Sequence, residues 1–252
     1  MDLGLKDKVA LVTGAGSQIG FGKGIALTLA REGCDIIVND VNLEGAEQTA
    51  AEVKALGRKA MPVKADVSSS AEVNAMIKAA LMELGRIDIL VNNAGAATPQ
   101  KPFTETTEAD WNADININLM GVVNCTKAVI DHMISRQSGK IVSIASTVAR
   151  TGGVNMTLYG AAKAGVSAFT KGLAAEVATS GINVNCIAPG PGDTGFALQA
   201  PPGFLDMIMG IIPQKKFTTP QDIGNAVAFL ASDVSINIVG QTLSVDGGLT
   251  MY

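Results

Sequence analysis

The chain has 252 residues, of which 47% are hydrophobic and 17% charged, and its formal net charge is −4. These apolar side chains suffice for a large buried core, unlike the composition of a disordered chain. An acidic chain without a basic cluster is a poor binder of phosphate backbones, so we expect no nucleic-acid partner. The sequence has no apolar run of membrane-spanning length and no signal peptide, so we expect a cytoplasmic protein that makes no membrane contact.

Short β-rich runs alternate with helix-length segments along the chain. The runs are nearly all apolar, and the segments between them repeat apolar residues at spacings of three and four. Apolar strands joined by helices are typical of a parallel sheet covered on both faces. The sequence therefore predicts a single doubly wound α/β (Rossmann) domain over residues 1–252, with a seven-stranded parallel sheet. The predicted strands are 8–12, 35–39, 60–66, 88–93, 140–146, 182–189 and 241–247.

One irregular region, residues 190–217, is rich in glycine and proline around a short apolar helix. Long excursions of this kind in a compact domain are often functional, so we expect a substrate lid here. The three cysteines, Cys34, Cys125 and Cys186, are far apart and lack metal-ligand spacing. They are interpreted as buried thiols in a reducing compartment, and no metal site is predicted.

A glycine-rich stretch, "TGAGSQIGFG" (13–22), follows the first predicted strand and precedes a helical segment. In a parallel sheet this turn supplies backbone N–H groups and a helix N-terminus for a pyrophosphate. A glycine-rich turn without a ligand is the alternative for this stretch alone. The region has more glycines than one G-x-G-x-x-G template uses: Gly14, Gly16, Gly20, Gly22 and Gly24.

Asp40 ends the second predicted strand, twenty residues after Gly20. An acid at this position can accept hydrogen bonds from the adenosine ribose hydroxyls, and its charge would repel a 2′-phosphate. The next residue is Val41 rather than an arginine. The alternative is an aspartate that only caps the next helix. In combination with the glycine loop, Asp40 favours NAD over NADP.

A tyrosine and a lysine, Tyr159 and Lys163, stand four residues apart in "YGAAK", which places them on one face of a helix. A phenol that acts as a base near neutral pH needs its pKa lowered by about three units, or roughly 4 kcal/mol. A lysine ammonium one turn away supplies charge of the right sign. The pair alone is common, but here it follows Ser146, which ends the fifth predicted strand.

Together with "NNAG" (92–95) and "VDGG" (245–248), these motifs resemble those of the short-chain dehydrogenase/reductase family, and the similarity extends from Lys8 to the C-terminus. The family's glycine loop reads T-G-x-x-x-G-x-G, and two alignments compete. Without gaps, Gln18 takes the place of the middle glycine. Alignment on the following helix instead makes Gly20 and Gly22 the second and third glycines, in a loop two residues longer. We adopt the second alignment, because it keeps glycine where backbone approaches phosphate, and it predicts that Gln18 tolerates replacement.

The resemblance implies a role for each of four catalytic residues. Ser146 would orient the substrate oxygen, and Tyr159 would be the acid–base group. Lys163 would bind the ribose hydroxyls, and Asn118 would hold a water that links this lysine to solvent. The resemblance also implies an NAD site formed by Gly14, Ser17, Gln18, Ile19, Gly20, Gly22, Asp40, Asp66, Val67, Asn93, Ala94, Gly95, Tyr159, Lys163, Pro189, Gly190 and Thr194.

The expected activity is NAD-dependent interconversion of a secondary alcohol and a ketone. The segments "PGPGDT" and "GQTLSVDGGLTMY" resemble bacterial family members that oxidise 3-hydroxyacyl-CoA thioesters in anaerobic aromatic degradation, those of the benzylsuccinate pathway in particular. The alternatives are a 3-oxoacyl carrier-protein reductase and a catalytically silent NAD-binding subunit. We further expect a homo- or hetero-tetramer, the latter with another short-chain dehydrogenase subunit.

Overall fold

A computed structural model of the chain describes residues 2–96, 101–192 and 203–251, with only the backbone of Phe204. All seven predicted strands are present and form one parallel sheet in the order β3-β2-β1-β4-β5-β6-β7. The predicted doubly wound α/β fold is therefore confirmed. The strands are β1 (Val9–Val12), β2 (Asp35–Asp40), β3 (Ala60–Lys64), β4 (Ile89–Asn92), β5 (Gly139–Ile144), β6 (Ile182–Pro189) and β7 (Thr242–Val245).

Helices connect the strands, and several begin at residues that cap their free backbone N–H groups. Thr107 and Thr219 each form a reciprocal capping box with the aspartate three residues later. The helices are α1 (Phe21–Arg31), α2 (Leu43–Ala55), α3 (Ser70–Leu84), α4 (Glu108–Ile115), α5 (Gly121–Ser135), α6 (Val148–Thr151), α7 (Thr157–Val177), α8 (Phe204–Ile211) and α9 (Pro220–Ala231), with a π-helical turn (Asn116–Met120) between α4 and α5 and 3-10 turns at Phe103–Glu105, Ala178–Ser180 and Asp233–Ser235.

The core has two apolar layers, one on each face of the sheet. Alternate residues of β1 enter opposite layers: Ala10 and Val12 join one cluster, and Val9 and Leu11 join the other. The first cluster also contains apolar residues of α1, α2 and α9, and the second contains residues of α3, α5 and α7. This arrangement explains why the central strands are apolar on both faces. In the described part of the chain, no helix has the length and apolarity that a membrane crossing requires.

The strand order reverses between β1 and β4, which lie side by side at the centre of the sheet. Ligands of doubly wound sheets bind in the crevice outside the carboxyl ends of the strands at such a switch point. The loops that follow β1 and β4 meet there, because a Cβ atom on Gly14 would lie 2.7 Å from the Ala94 Cα. The predicted lid (190–217) follows β6 in the chain. Its residues 193–202 fall outside the described ranges.

Candidate active site

The glycine loop after β1 is shaped by two of its glycines. Gly14 has a φ of +64°, the left-handed conformation that favours glycine. A Cβ atom on Gly22 would overlap the Gly14 carbonyl oxygen, so glycine at position 22 lets α1 pack against the end of β1. Gly20 is the N-cap residue of α1. A turn at Gly14, a helix start at Gly20 and a close helix contact at Gly22 agree with the alignment on the helix rather than the gapless one.

Gln18 braces this loop against α2. Its Nε2 atom donates to the carbonyl oxygens of Gly16 and Gly45 at 2.9 and 3.1 Å, and its Oε1 atom accepts from the Lys23 ammonium at 2.8 Å. The neighbouring Ser17 and Ile19 are exposed. These contacts give Gln18 a role in supporting the lengthened loop that the sequence did not indicate, so we now expect its replacement to have a small effect on NAD binding.

Asp40 lies at the carboxyl end of β2 with its carboxylate against the glycine loop. One oxygen accepts from the Gly16 N–H at 2.8 Å, and the other accepts from the Asn42 N–H at 2.9 Å. A Cβ atom on Gly16 would lie 2.8 Å from the Asp40 carboxyl carbon, so glycine there allows the approach. The sequence showed no role for Gly16. Each carboxylate oxygen retains further acceptor capacity, which suits a pair of ribose hydroxyls.

The "NNAG" segment after β4 ties that strand to the glycine loop. The Asn93 side-chain amide donates to the Thr13 and Gly14 carbonyl oxygens at 2.8 and 3.1 Å. The Thr13 hydroxyl accepts from the backbone N–H groups of Asn93 and Ala94, both at 3.0 Å. These hydrogen bonds fix the position of the glycine loop relative to β4. The backbone of Asn93 and Ala94 therefore lies at the switch point of the sheet.

The remaining predicted cofactor residues lie at the carboxyl ends of β3 and β6. The Asp66 carboxylate accepts from the backbone N–H and the hydroxyl of Ser68 at 2.8 and 2.7 Å, so its first role is in the turn before α3. Val67 is buried beside it. Pro189 ends β6, and the Gly190 N–H donates to the Val245 carbonyl oxygen at 3.0 Å. Thr194 lies outside the described residues.

The four predicted catalytic residues converge at the carboxyl ends of β4 and β5. The Lys163 ammonium donates to the Ile144 carbonyl oxygen at 2.9 Å and lies 5.8 Å from the centre of the Tyr159 ring. The Ser146 hydroxyl is hydrogen-bonded to the Tyr159 hydroxyl. Lys163 is 3% exposed and Asn118 is fully buried. Residues from β5, α7 and the π-helical turn therefore form one cluster.

Asn118 occupies the middle of the π-helical turn between α4 and α5. Its Nδ2 atom donates to the Asp114 carbonyl oxygen at 3.0 Å, one turn earlier, and to the Ala96 carbonyl oxygen at 2.7 Å. Single π-helical turns inside α-helices are frequent at functional sites, where they aim a side chain out of the regular helical ladder. No sequence pattern in "DININLMG" predicts this turn.

The electrostatics of the cluster depend on burial. Burial raises the pKa of Tyr159 above its ordinary value, the hydrogen bond from Ser146 opposes this shift, and the Asp114 charge adds to it. Burial lowers the pKa of Lys163 to about 8. The lysine therefore remains mostly protonated at neutral pH. The tyrosine needs additional positive charge nearby before it can lose its proton near neutrality.

Two polar atoms of the catalytic cluster, one on Asn118 and one on Lys163, lie close to Gly95. The Asn118 Oδ1 atom is buried without a hydrogen-bond partner in the described part of the chain. A Cβ atom on Gly95 would lie 2.7 Å from this oxygen and 3.1 Å from the Lys163 ammonium. Glycine at position 95 thus leaves an acceptor and a donor facing one space, as ribose hydroxyls require. With the glycine loop and Asp40, the residues present fit a nicotinamide dinucleotide.

Two other sequence expectations concern cysteines and metals. Cys34, Cys125 and Cys186 are buried thiols. Within residues 2–96, 101–192 and 203–251, no group of three or more histidine, cysteine or acidic residues could hold a metal ion.

Comparison with known proteins identifies relatives of the whole chain. Residues 14–250 match the family described as enoyl-(acyl carrier protein) reductase. The chain is 40% identical over 250 residues to (2S)-[(R)-hydroxy(phenyl)methyl]succinyl-CoA dehydrogenase subunit BbsD of Thauera aromatica, covering 99% of both chains. It is also 40% identical over 252 residues to a 3-oxoacyl-[acyl-carrier-protein] reductase of Synechocystis, covering 98% of this chain and 99% of that protein.

Among solved structures, the chain is similar to one from Sinorhizobium meliloti 1021 described as a short-chain alcohol dehydrogenase. The two share 34% sequence identity and superpose with a TM-score of 0.93, covering 99% of this chain and 98% of the other. Since a CoA-thioester dehydrogenase and a carrier-protein reductase are equally similar in sequence, overall identity does not distinguish the two substrate classes.

Proposed function

The chain belongs to the short-chain dehydrogenase/reductase family, whose members act on hydroxyl and keto groups, and we propose that it is an NAD-dependent 3-hydroxyacyl-CoA dehydrogenase. The single observation that carries the proposed chemistry is the convergence of Ser146, Tyr159, Lys163 and Asn118. An arrangement that only bound a nucleotide would have no need of the serine–tyrosine pair beside the buried lysine.

In the proposed reaction, the Ser146 hydroxyl binds the substrate oxygen and holds it beside the Tyr159 hydroxyl. Tyr159 accepts the proton of the substrate hydroxyl during oxidation and returns it during reduction. The Lys163 ammonium favours the phenolate through its charge, and Asn118 contributes a buried acceptor beside it. NAD, held by the glycine loop, Asp40 and Lys163, would supply the acceptor for the hydride of the carbinol carbon.

Asp40 supports NAD rather than NADP. Its carboxylate is held by two backbone N–H groups next to the glycine loop, and Val41 beside it is 58% exposed and uncharged. A 2′-phosphate would meet this negative charge without a neighbouring arginine to offset it. Family membership alone is compatible with either cofactor, so the preference depends on Asp40.

The substrate class is supported by sequence similarity and by apolar side chains near the exit from β6. The relative from Thauera aromatica acts on a phenyl-substituted CoA thioester, as its name states. On α8, Met207 and Ile211 are 58% and 60% exposed, and such side chains suit an apolar or aromatic acyl group. The similarity to carrier-protein reductases keeps 3-oxoacyl carrier protein as the second candidate substrate.

The test is a substrate panel measured in both directions. We expect NADH formation from NAD to be fastest with 3-hydroxyacyl-CoA thioesters that carry apolar or aromatic acyl groups. NADPH formation from NADP should be slow with the same substrates. Faster NADPH-dependent reduction of 3-oxoacyl carrier protein would favour the second candidate. A protein as inactive as its Tyr159→Phe variant on every substrate would instead be a silent NAD-binding subunit.

A further inference from the structure

A second pocket lies at the opposite edge of the sheet from the catalytic cluster. It is a cavity of about 280 Å³ at the amino ends of β1, β5 and β6. Its lining includes Lys8, Lys140, Ser138, Gly181 and Asp233. None of these residues belongs to the proposed cofactor or catalytic site, so the pocket needs an explanation of its own.

The central feature of this pocket is the buried ammonium of Lys140. The residue is 9% exposed, and its Nζ atom has no hydrogen-bond partner among the described residues. A buried charge without a partner costs several kcal/mol by comparison with a paired one. Burial also lowers the pKa of this lysine. Lys8 also lines this cavity, and its charge contributes to the lowered pKa of Lys140, so the two cations lie near each other.

The described acidic groups around the pocket form no hydrogen bond with the Lys140 ammonium. The carboxylate of Asp88 is already occupied, because it accepts from the Val9 N–H and from the guanidinium groups of Arg86 and Arg136. Asp233 lies at the exposed rim, where its charge favours a protonated Lys140 without a direct hydrogen bond to it. The positive charge of the interior therefore exceeds the negative charge available to it.

We propose that this pocket binds a small dianionic oxyanion of the phosphate type between the Lys140 and Lys8 ammonium groups. Lys8, Lys140 and Ser138 all line the cavity, and their side chains carry donor groups of the kind that a tetrahedral anion accepts from. The bound anion would link Lys8, which precedes β1, to Lys140 in β5. It would stabilise the amino edge of the sheet and leave the reaction at the carboxyl edge unchanged.

The test measures thermal unfolding of NAD-saturated protein against inorganic phosphate at constant ionic strength set with chloride. Saturating NAD keeps the pyrophosphate site from contributing to the response. The unfolding midpoint of wild-type protein should rise with phosphate by ~2 °C or more and reach a plateau. Lys140→Met should abolish the rise, whereas Lys127→Met, which removes an exposed lysine paired with Asp131, should retain it.

Further variants separate this proposal from a simple Lys140–Asp233 ion pair. Asp233→Asn removes a charge that repels the anion, so we expect phosphate to bind severalfold more tightly. If the two residues only neutralise each other, Asp233→Asn will lower stability at every phosphate concentration and leave the response unchanged. Should Lys140→Met fail to fold, Lys8→Met offers the same comparison, with a reduced phosphate response expected.

Other anions show which kind of anion the pocket binds. Glycerol phosphate should act like inorganic phosphate if a monoester fits, and only inorganic phosphate should act if the pocket is closed to larger groups. Acetate at equal concentration should have little effect. An equal response to acetate, no response of wild-type protein to phosphate, or an undiminished response of Lys140→Met would each overturn the proposal.

Discussion

The hydrogen bonding of buried polar groups differs between the amino edge of the sheet, where the strands begin, and the carboxyl edge, where they end. At the amino edge, the Asp88 carboxylate is 3% exposed and accepts hydrogen bonds from Val9, Arg86 and Arg136. At the carboxyl edge, the described residues give the buried Asn118 Oδ1 atom no partner and give the Lys163 ammonium a single carbonyl acceptor. The first edge satisfies the buried charge of Asp88 within the chain, and the second leaves donors and acceptors for a ligand.

This difference indicates where stability and chemistry are located. Satisfied buried networks stabilise a fold, whereas unsatisfied buried groups cost free energy and persist where they serve binding or catalysis. Replacements at the carboxyl edge should therefore alter rate or affinity with little loss of stability. Replacements at the amino edge should do the reverse, with Lys140 as the exception argued above.

The largest effect on rate should come from Tyr159→Phe. This change removes the proton carrier and keeps the ring, so we expect turnover to fall by at least ~10³ while NAD affinity and the unfolding midpoint change little. Steady-state kinetics and NAD titration measure both quantities. Turnover within tenfold of wild type would exclude Tyr159 as the acid–base group.

The largest effect on stability should come from Asp88→Ala. Without the carboxylate, two guanidinium groups and the Val9 N–H lose their partner, and the expected loss of unfolding free energy is about 3–5 kcal/mol. Asp131→Ala is the matched control, because it removes an exposed carboxylate paired with Lys127 and should change stability by less than about 0.5 kcal/mol. A lower turnover of the folded Asp88→Ala protein would contradict the division between the two edges.

Asp40→Ala should have an intermediate effect, confined to the cofactor. The loss of a charged acceptor for the ribose hydroxyls should weaken NAD by about ten- to a hundredfold, equivalent to roughly 1.5–3 kcal/mol. NADP should be affected less, because the variant no longer repels its phosphate. Equilibrium titrations with both cofactors test this expectation. A wild-type preference for NADP would show that Asp40 does not select the cofactor.

The smallest effect should come from Gln18→Ala, which removes the brace between the glycine loop and α2. We expect NAD to bind severalfold more weakly, since each lost hydrogen bond contributes about 0.5–1.5 kcal/mol. Gly20→Ala should weaken NAD more strongly and still fold, because its added Cβ would meet only the Ser17 side chain at 3.0 Å. Tighter binding by Gln18→Gly would instead support the gapless alignment.

Much of the fold and site could be predicted from sequence because the signals are local. Apolar runs such as that of β6, Ile182–Pro189, are distinctive, and the four-residue spacing of Tyr159 and Lys163 fixes their common helix face. Chain order alone also placed Ser146 at the end of β5. These features depend only on short segments of sequence. They can therefore be recognised without knowledge of tertiary contacts.

The remaining features depend on partners that are distant in sequence. The π-helical turn places Asn118 against the carbonyl of Ala96, 22 residues earlier, and Gln18 reaches Gly45, 27 residues later. The burial of Lys140 likewise follows from packing at the amino edge and not from its place in an apolar run. No spacing rule within the segments themselves predicts such contacts.

The central claim is that Tyr159 is a buried base whose proton is controlled by nearby positive charge. The chain has two tyrosines, so a Tyr252→Phe background leaves Tyr159 as the only tyrosine whose phenolate absorbance titrates. Because burial raises its pKa, we expect Tyr159 to ionise at a higher pH than an exposed tyrosine in protein without cofactor. With NAD bound the pKa of Tyr159 should fall into the range where the Lys163 ammonium is still charged, and Lys163→Met should reverse much of that fall. An unshifted phenol, titrating near pH 10 with or without NAD and Lys163, would contradict the account.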